Sequence, residues 1–155
     1  MTTDHLIALI KSNFEVLELL DNNTLLIPKE NLEALALFLH QTEGLYFDHL
    51  ACITGLDNSP KEKSYEVVYN FYSIPYEHSL SVKVKIYSDQ EEIPSLTSIW
   101  KGANWLEREV FDLYGIRFSN HPDLRRILLP ANWVGYPMRK DYKTQEFFHG
   151  IKVDY

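Results

Sequence analysis

The 155-residue chain contains little cysteine and glycine and has no long apolar run. Its one cysteine, Cys52, excludes an internal disulfide and cannot by itself hold an iron–sulfur cluster or a structural zinc ion. Its six glycines match neither the dinucleotide-binding nor the P-loop spacing. No stretch approaches the roughly 20 apolar residues of a membrane span, and no signal peptide is recognisable. We therefore expect a chain from a reducing compartment, with no independent NAD or ATP chemistry and no membrane span of its own.

The charge of the chain is unevenly distributed. Residues 1–116 carry 8 Lys and Arg against 18 Asp and Glu, whereas residues 117–155 carry 7 against 4. A basic C-terminal segment can attract nucleic acid, but here the cations alternate with Pro, Trp and Leu, and the acidic body repels phosphate. We therefore expect no nucleic-acid partner.

Hydrophobic periodicity predicts an alternation of helices and strands in the order α-β-β-α-β-β-β-α. We expect helices after Thr2 and Thr3, over 30–41, and between Asn104 and Gly115, and strands over 14–20, 24–27, 46–54, 65–72 and 81–86. This order is typical of an α+β two-layer sandwich, with helices on one face of a mostly antiparallel sheet. The alternation Val82, Val84, Ile86 against Lys83 and Lys85 predicts a sheet with one buried and one partly exposed face.

The third helix has several marked features. Asn104 and Glu107 have the spacing of a capping box, and Gly115 suits the left-handed residue that ends a helix. Leu106, Val110 and Leu113 form an apolar stripe that predicts docking on the sheet.

The charged residues of this helix admit two interpretations. Arg108 and Asp112 are four residues apart and can pair on an exposed face. Glu109 and Asp112 are also neighbours, and two such carboxylates can share a proton or a cation if they are buried. A solvated face neutralised by arginines is the simpler interpretation.

The segment after Gly115 has no sustained periodicity, and prolines interrupt it at 122, 130 and 137. Its many large apolar side chains would be exposed in a free tail. We therefore predict a domain over residues 1–117 and an extended C-terminal tail over 118–155, which lies along a surface, most naturally that of a partner. Arg125, Arg126, Arg139 and Lys140 are the expected interface cations.

Two catalytic alternatives compete with this interpretation. His121 and Asp123 are possible metal ligands, but a third ligand at suitable spacing is missing. Cys52 is a possible nucleophile with His49 nearby, but its position in an apolar strand is typical of a small core residue.

The last third of the chain resembles a known family. The matching blocks are Glu107-Arg108-Glu109, Asp112, Gly115-Ile116, Phe118, residues 121–128 (HPDLRRIL), residues 133–142 (WVGYPMRKDY) and residues 146–150 (EFFHG). Together they resemble the C subunit of the proton-pumping NADH–quinone oxidoreductase, respiratory complex I, the thirty-kilodalton-subunit family. Asn132 departs from the acidic residue that the family often has there.

The resemblance implies a cofactor-free, non-catalytic subunit of the peripheral arm, on the cytoplasmic side of the inner membrane. FMN and the iron–sulfur clusters would belong to other subunits, with NADH and quinone as substrates of the whole complex. The expected partners are the quinone-site D subunit and other subunits of the arm, such as the cluster-carrying B subunit. The implied signature and partner interface comprise Glu107, Arg108, Glu109, Asp112, Gly115, His121, Pro122, Leu124, Arg125, Arg126, Trp133, Gly135, Pro137, Arg139, Lys140 and Asp141.

Two alternatives to this assignment stay open. An equivalent subunit occurs in related complexes: plastid and cyanobacterial complexes, F420H2 dehydrogenases and membrane-bound hydrogenases. The second alternative is a small metal-dependent enzyme that uses Glu109, Asp112 and His121. Stoichiometric bound metal would favour that enzyme, whereas a scaffold subunit would purify without metal.

Overall fold

The structure, a computed structural model, describes residues 3–21 and 23–153. Its helices are α1 (Thr3–Asn13), α2 (Leu32–Gln41) and α3 (Ala103–Tyr114). Its strands are β1 (Glu18–Asp21), β2 (Thr24–Ile27), β3 (His49–Asp57), β4 (Tyr65–Ser73), β5 (His78–Ile86), β6 (Glu92–Pro94), β7 (Arg117–Ser119), β8 (Phe147–Phe148) and β9 (Ile151–Lys152). The predicted N-terminal cap Thr2 lies outside the described residues. The other predicted helices and strands are all present. Strand β2 has its predicted bounds, and the bounds of the others are shifted.

Five strands form the main sheet in the order β1-β2-β5-β4-β3. Strand β2 pairs with β5 in parallel, and the other neighbours pair antiparallel. Two smaller ribbons accompany this sheet, a parallel pair β6–β7 and an antiparallel pair β8–β9. The prediction of an α+β fold with a mostly antiparallel sheet is confirmed.

The core lies between one face of the sheet and the helices. Val82, Val84 and Ile86 of β5 are fully buried there, as predicted from their alternation. The apolar side of α2 meets them through Leu32, Leu35, Ala36 and Leu39, which repeat with the helical period. On the opposite face Lys83 and Lys85 are half-buried and pair with Glu66 and Glu62. This face is therefore partly exposed.

Three predicted details of the strands are wrong. Strand β3 begins at His49 rather than at 46, because Tyr46 has a positive φ of 35°, which is incompatible with a strand. It also continues through Gly55-Leu56-Asp57, three residues beyond its predicted end at 54. Cys52 is half-buried on the outer face, where Thr54 Oγ1 lies 3.2 Å from its Sγ, so it is no core residue.

The ribbon β6–β7 was not predicted. Ile93 and Phe118 face each other in this parallel pair and both belong to the core. Strand β7 crosses the predicted boundary at residue 118, so Phe118 packs with the domain and the chain leaves it only after Ser119. Among the described residues, no helix combines the length and the apolar character that crossing a membrane requires.

Candidate partner-binding site

One side of α3 carries the side chains that hold the tail in place. Asp112 is fully buried, and its carboxylate is surrounded by donors from the tail. Its Oδ2 accepts hydrogen bonds from three consecutive backbone N–H groups, at 3.1 Å from Ile127, 2.7 Å from Leu128 and 2.8 Å from Leu129. Its Oδ1 lies 2.7 Å from Nη1 of Arg126. The carboxylate therefore fixes the course of residues 126–129 along the helix.

Arg126 completes this site from the tail side. Besides Asp112 Oδ1, its guanidinium donates to the backbone oxygens of Asp112, Trp133 and Gly135, at 3.0, 3.1 and 2.9 Å. Its side chain is only 14% exposed. Because a planar guanidinium presents several donors in fixed directions, one side chain can tie the helix to two points of the tail.

The expected exposed pair between Arg108 and Asp112 is wrong. Arg108 instead donates to the backbone oxygens of Arg125 and Arg126, both at 3.1 Å. Asp112 pairs with Arg126, which is 14 residues further along the chain. The solvated face proposed for these residues therefore does not exist at Asp112, although Glu109 is exposed.

The C-terminal end of α3 receives a second anchor. Gly115 ends the helix with a φ of 75°, as its position in the sequence predicts. Arg139 Nε lies 2.6 Å from the Tyr114 oxygen, and Nη1 lies 3.1 Å from Asp89 Oδ2. The guanidinium also stacks over the rings of Tyr136 and Tyr65, 4.7 and 5.1 Å from their centroids. Such stacking suits arginine better than lysine.

The N-terminal part of α3 has a different arrangement from the predicted one. The helix begins at Ala103 after Gly102, and no side chain caps it, so the capping box of Asn104 and Glu107 is wrong. Glu107 is fully buried and points to the turn before the helix, where its carboxyl accepts hydrogen bonds from Ser95 Oγ and the Leu96 N–H, both at 2.7 Å. Burial raises the pKa of Glu107 to about 7, against the lowering effect of these two hydrogen bonds.

The first residues of the tail are also anchored to the domain. His121 has no exposed side-chain surface and lies 3.1 Å from the backbone oxygen of Asn104 through Nε2. Further along, the Lys140 N–H donates to Asp57 Oδ2 at 2.9 Å, and the Met138 N–H donates to the Leu113 oxygen at 3.1 Å. Residues 121–142 thus lie along a surface of the chain's own domain.

The remaining predicted interface residues occupy different positions. Leu124 packs against the core, and Trp133 is half-buried, with its ring centroid 5.2 Å from that of Phe148. Gly135 has a φ of 85° and Pro137 is half-buried. The exposed residues are Glu109, Pro122, Arg125, Lys140 and Asp141. Of the four expected interface cations, Arg126 and Arg139 thus make contacts inside the chain.

Several apolar side chains of the tail point to solvent, and the backbone of one of them, Leu128, is anchored to Asp112. Leu128 is 60% exposed and Val134 is 71% exposed. Phe147 and Ile151, in the β8–β9 ribbon, are 57% and 69% exposed. We call these four the exposed apolar residues of the tail. Large apolar side chains held in water in this way are typical of a surface that another protein covers.

The metal and nucleophile hypotheses find no support in these positions. His121 Nδ1 accepts the Asp123 N–H at 3.0 Å, so both ring nitrogens are engaged in hydrogen bonds to protein groups. Within the described ranges, no group of three His, Cys, Asp or Glu side chains could hold a metal ion. Cys52 and His49 line separate clefts on β3.

Some anchoring residues were not identified from the sequence. Asp57, Asp89 and Ser95 lie in loops or at strand ends far from the tail in the sequence, and each contacts it or α3. Their residue types are common in turns, so they carried no distinguishing signal.

Comparison with known proteins gives a consistent match. Residues 25–148 match the family described as "Respiratory-chain NADH dehydrogenase, 30 Kd subunit". A protein of Chloroherpeton thalassium, named as the C subunit of an NADH-quinone oxidoreductase, is 48% identical over 142 residues, covering 88% of this chain and 58% of the relative. A protein of the same name from Chlorobium phaeobacteroides is 48% identical over 122 residues, covering 78% of this chain and 73% of the relative. The chain thus spans 58% and 73% of the lengths of these two relatives.

Two solved structures share the fold. The structure described as the trypsin-resistant fragment (1-134) of Nqo5 has a TM-score of 0.63 at 30% identity and covers 80% of this chain and 100% of its own. A chain of a membrane-bound sulfane sulfur reductase, described as an archaeal respiratory membrane complex, has a TM-score of 0.67 at 21% identity, over 90% of this chain and 84% of its own. The second likeness shows the fold alone.

Proposed function

Because the chain belongs to the respiratory-chain NADH dehydrogenase 30 kDa subunit family, we propose that it is the C subunit of a proton-pumping NADH–quinone oxidoreductase. In this role it supports electron transfer from NADH to quinone, which the complex couples to proton translocation. The observation that supports this role best is the anchored tail. Its backbone is fixed to the domain, and apolar side chains project from it at the surface. Pre-ordering of this kind reduces the entropy lost on binding.

The contribution of the chain is structural rather than catalytic. Four charged residues of its signature are held by internal contacts: Asp112 pairs with Arg126, Arg139 pairs with Asp89, and Glu107 accepts a hydrogen bond from Ser95. Groups held in this way set the geometry of the tail and are not arranged around a substrate. FMN and the iron–sulfur clusters are therefore assigned to other subunits of the complex.

The quinone-site D subunit is the proposed partner of the tail, with further contacts to arm subunits such as the cluster-carrying B subunit. The exposed apolar residues of the tail provide the hydrophobic part of this interface. Arg125, whose side chain is 73% exposed, and Lys140 provide cations at its rim. The complex would hold the chain peripherally on the cytoplasmic side of the inner membrane.

Affinity purification tests this assignment. A tagged full-length chain is expressed in place of the native copy, and the detergent-solubilised membranes are captured through the tag. The B and D subunits and NADH–quinone reductase activity are expected in the eluate. Capture of a complex that oxidises F420H2, reduced ferredoxin or hydrogen would assign the chain to a related complex, and capture of a metal-containing single chain would favour the enzyme alternative.

A further inference from the structure

Glu107 is an ionisable side chain with no exposed surface in the interior of the domain. Its Oε1 accepts the Leu96 N–H and its Oε2 lies 2.7 Å from Ser95 Oγ, which is itself 2.8 Å from Thr97 Oγ1. These groups are dipoles and carry no compensating charge. An ionised carboxylate at this position therefore lacks a counter-ion from the segment that precedes α3.

His121 is the basic group closest to this carboxyl, with Nε2 3.9 Å from Oε2. Its hydrogen bonds define its protonation state. Nδ1 accepts the Asp123 N–H, so the ring proton is on Nε2, which donates to the Asn104 oxygen. In a doubly protonated ring Nδ1 would also carry a hydrogen, which would point at the Asp123 N–H and remove the acceptor of this hydrogen bond. The docked start of the tail therefore requires a neutral His121, which cannot neutralise Glu107.

The sheet contributes one further titratable group. Tyr69 of β4 is fully buried, its hydroxyl makes no hydrogen bond with another described residue, and its pKa is raised well above its ordinary value by burial and by Glu107. A neutral phenol offers Glu107 no positive charge. The carboxyl is thus surrounded by neutral groups from the preceding turn, from the tail and from the sheet. This arrangement favours the protonated acid over the carboxylate.

We propose that Glu107 is a buried proton-binding site, and that the start of the tail stays docked on α3 while this site holds its proton. Loss of the proton leaves a buried negative charge between Ser95 and His121 that has no counter-ion. The charge is relieved when the His121 ring swings out and water reaches the carboxylate. This movement breaks both hydrogen bonds of the ring, the one to the Asn104 oxygen and the one from the Asp123 N–H. The raised pKa of about 7 places this exchange in the physiological range.

Nuclear magnetic resonance of the full-length chain tests the site directly. The ¹³Cδ signal of Glu107 is followed from pH 5 to 9, together with the ¹⁵N signals of the His121 ring. We expect Glu107 to titrate near pH 7. In the docked state the His121 signals should show the Nε2–H tautomer that its two hydrogen bonds require. Titration of Glu107 near the ordinary glutamate value of 4.5 would overturn the proposal, because the carboxylate would then be stable in the docked state.

Amide hydrogen exchange tests whether loss of the Glu107 proton opens the docked start of the tail. Between pH 6 and 8 the protection factor of the Asp123 amide is expected to fall about tenfold, since most of the carboxyls lose their proton over this interval. In Glu107→Gln, which stays neutral, protection should not change with pH, whereas the exposed control Glu109→Gln should behave like the wild type. An equal fall in Glu107→Gln, or none in the wild type, would contradict the proposal. If Glu107→Gln does not fold, the wild-type titration and exchange decide alone.

Discussion

The two buried carboxyl groups of α3 differ in what surrounds them. Burial raises the pKa of Asp112, but hydrogen bonds from the Leu129 N–H, from Arg126 and from the N–H groups of Leu128 and Ile127 outweigh it and lower the pKa overall. For Glu107, burial outweighs two hydrogen bonds and the pKa rises. The number and the charge of the donors therefore decide which buried acid is ionised.

Removal of the charge of Asp112 should destabilise the isolated chain. Asp112→Asn removes a buried ion pair and replaces one acceptor oxygen by a donor that faces the tail, so we expect a loss of about 3 kcal/mol in the free energy of unfolding, measured in urea. Asp123→Asn is the matched control, because Asp123 pairs with Arg125 at the surface, where the side chains are 49% and 73% exposed. Its expected change is within about 0.5 kcal/mol, and equal effects of both variants would refute a central role for Asp112.

Glu107 should make the stability of the chain fall as the pH rises. The folded chain holds the proton up to about pH 7, whereas in the unfolded chain the ordinary pKa is 4.5. The stabilisation is therefore fully present below pH 4.5 and lost as the pH rises to about 7, a change of about 3 kcal/mol by linkage. Urea unfolding at pH 5 and pH 8 measures it. Glu107→Gln should lack this component, and an unchanged slope in that variant would argue against it.

At the scale of elements, the junction between α3 and the tail depends on a glycine. A Cβ at Gly115 would lie 2.6 Å from Tyr136 Cε2 and 2.7 Å from Arg139 Nη2, the two side chains that cover the helix end. Gly44 has a similar φ of 82°, but a Cβ there meets nothing within 4 Å. A substitution at Gly44 therefore reports backbone strain alone, whereas one at Gly115 reports backbone strain together with the packing of the tail.

We expect Gly115→Ala to destabilise the chain clearly more than Gly44→Ala. Each substitution costs about 1 kcal/mol for the left-handed backbone, and Gly115→Ala adds a further cost of about 1 to 3 kcal/mol because Tyr136 and Arg139 must move. Thermal unfolding of both variants gives the comparison. Similar losses of stability would mean that the tail does not pack on the helix end.

Helices and strands with long periodic patterns were predictable from the sequence. Very short strands and contacts between residues far apart in the sequence were not. The stripe of α2 and the alternation of β5 repeat over several turns or pairs, so local sequence determines them. Strands β6 and β7 have three residues each and form only by pairing with each other, although α3 separates them in the sequence. The same limitation affected Asp112: Arg108 was the nearest candidate by helical spacing, whereas the actual partner, Arg126, is placed by the fold. Residue spacing cannot reveal such long-range contacts.

At the scale of the whole molecule, the tail has two parts. Residues 121–142 are tied to the domain by Asp112, Tyr114 and Asp57, whereas the β8–β9 ribbon beyond them contacts the rest of the tail through Trp133 and Asn132. A tail without such anchors would be protease-sensitive throughout in the absence of a partner. Because of its anchors, the first part should resist cleavage.

Limited trypsin digestion of the isolated chain should therefore cut the tail first after Lys143, which lies beyond the anchored residues, and only later after Arg125 or Arg126. The oxygens of Arg125 and Arg126 accept hydrogen bonds from Arg108, and cleavage there requires the local structure to open. Mass spectrometry of the early fragments identifies the first site. Asp112→Asn should shift early cleavage towards Arg126, and early cleavage there in the wild type would mean that the tail is not docked.

We propose that the tail, held by α3, presents its exposed apolar residues to the quinone-site subunit. Site-specific photo-cross-linking inside the assembled complex tests this contact. A photoreactive residue is introduced at Val134, which is 71% exposed, and as a control at Ile74, which is 59% exposed on the turn between β4 and β5. We predict a cross-link from position 134 to the quinone-site subunit and none to that subunit from position 74. A cross-link from position 134 to other subunits only, or to none, in a complex that contains the chain, would contradict this proposal.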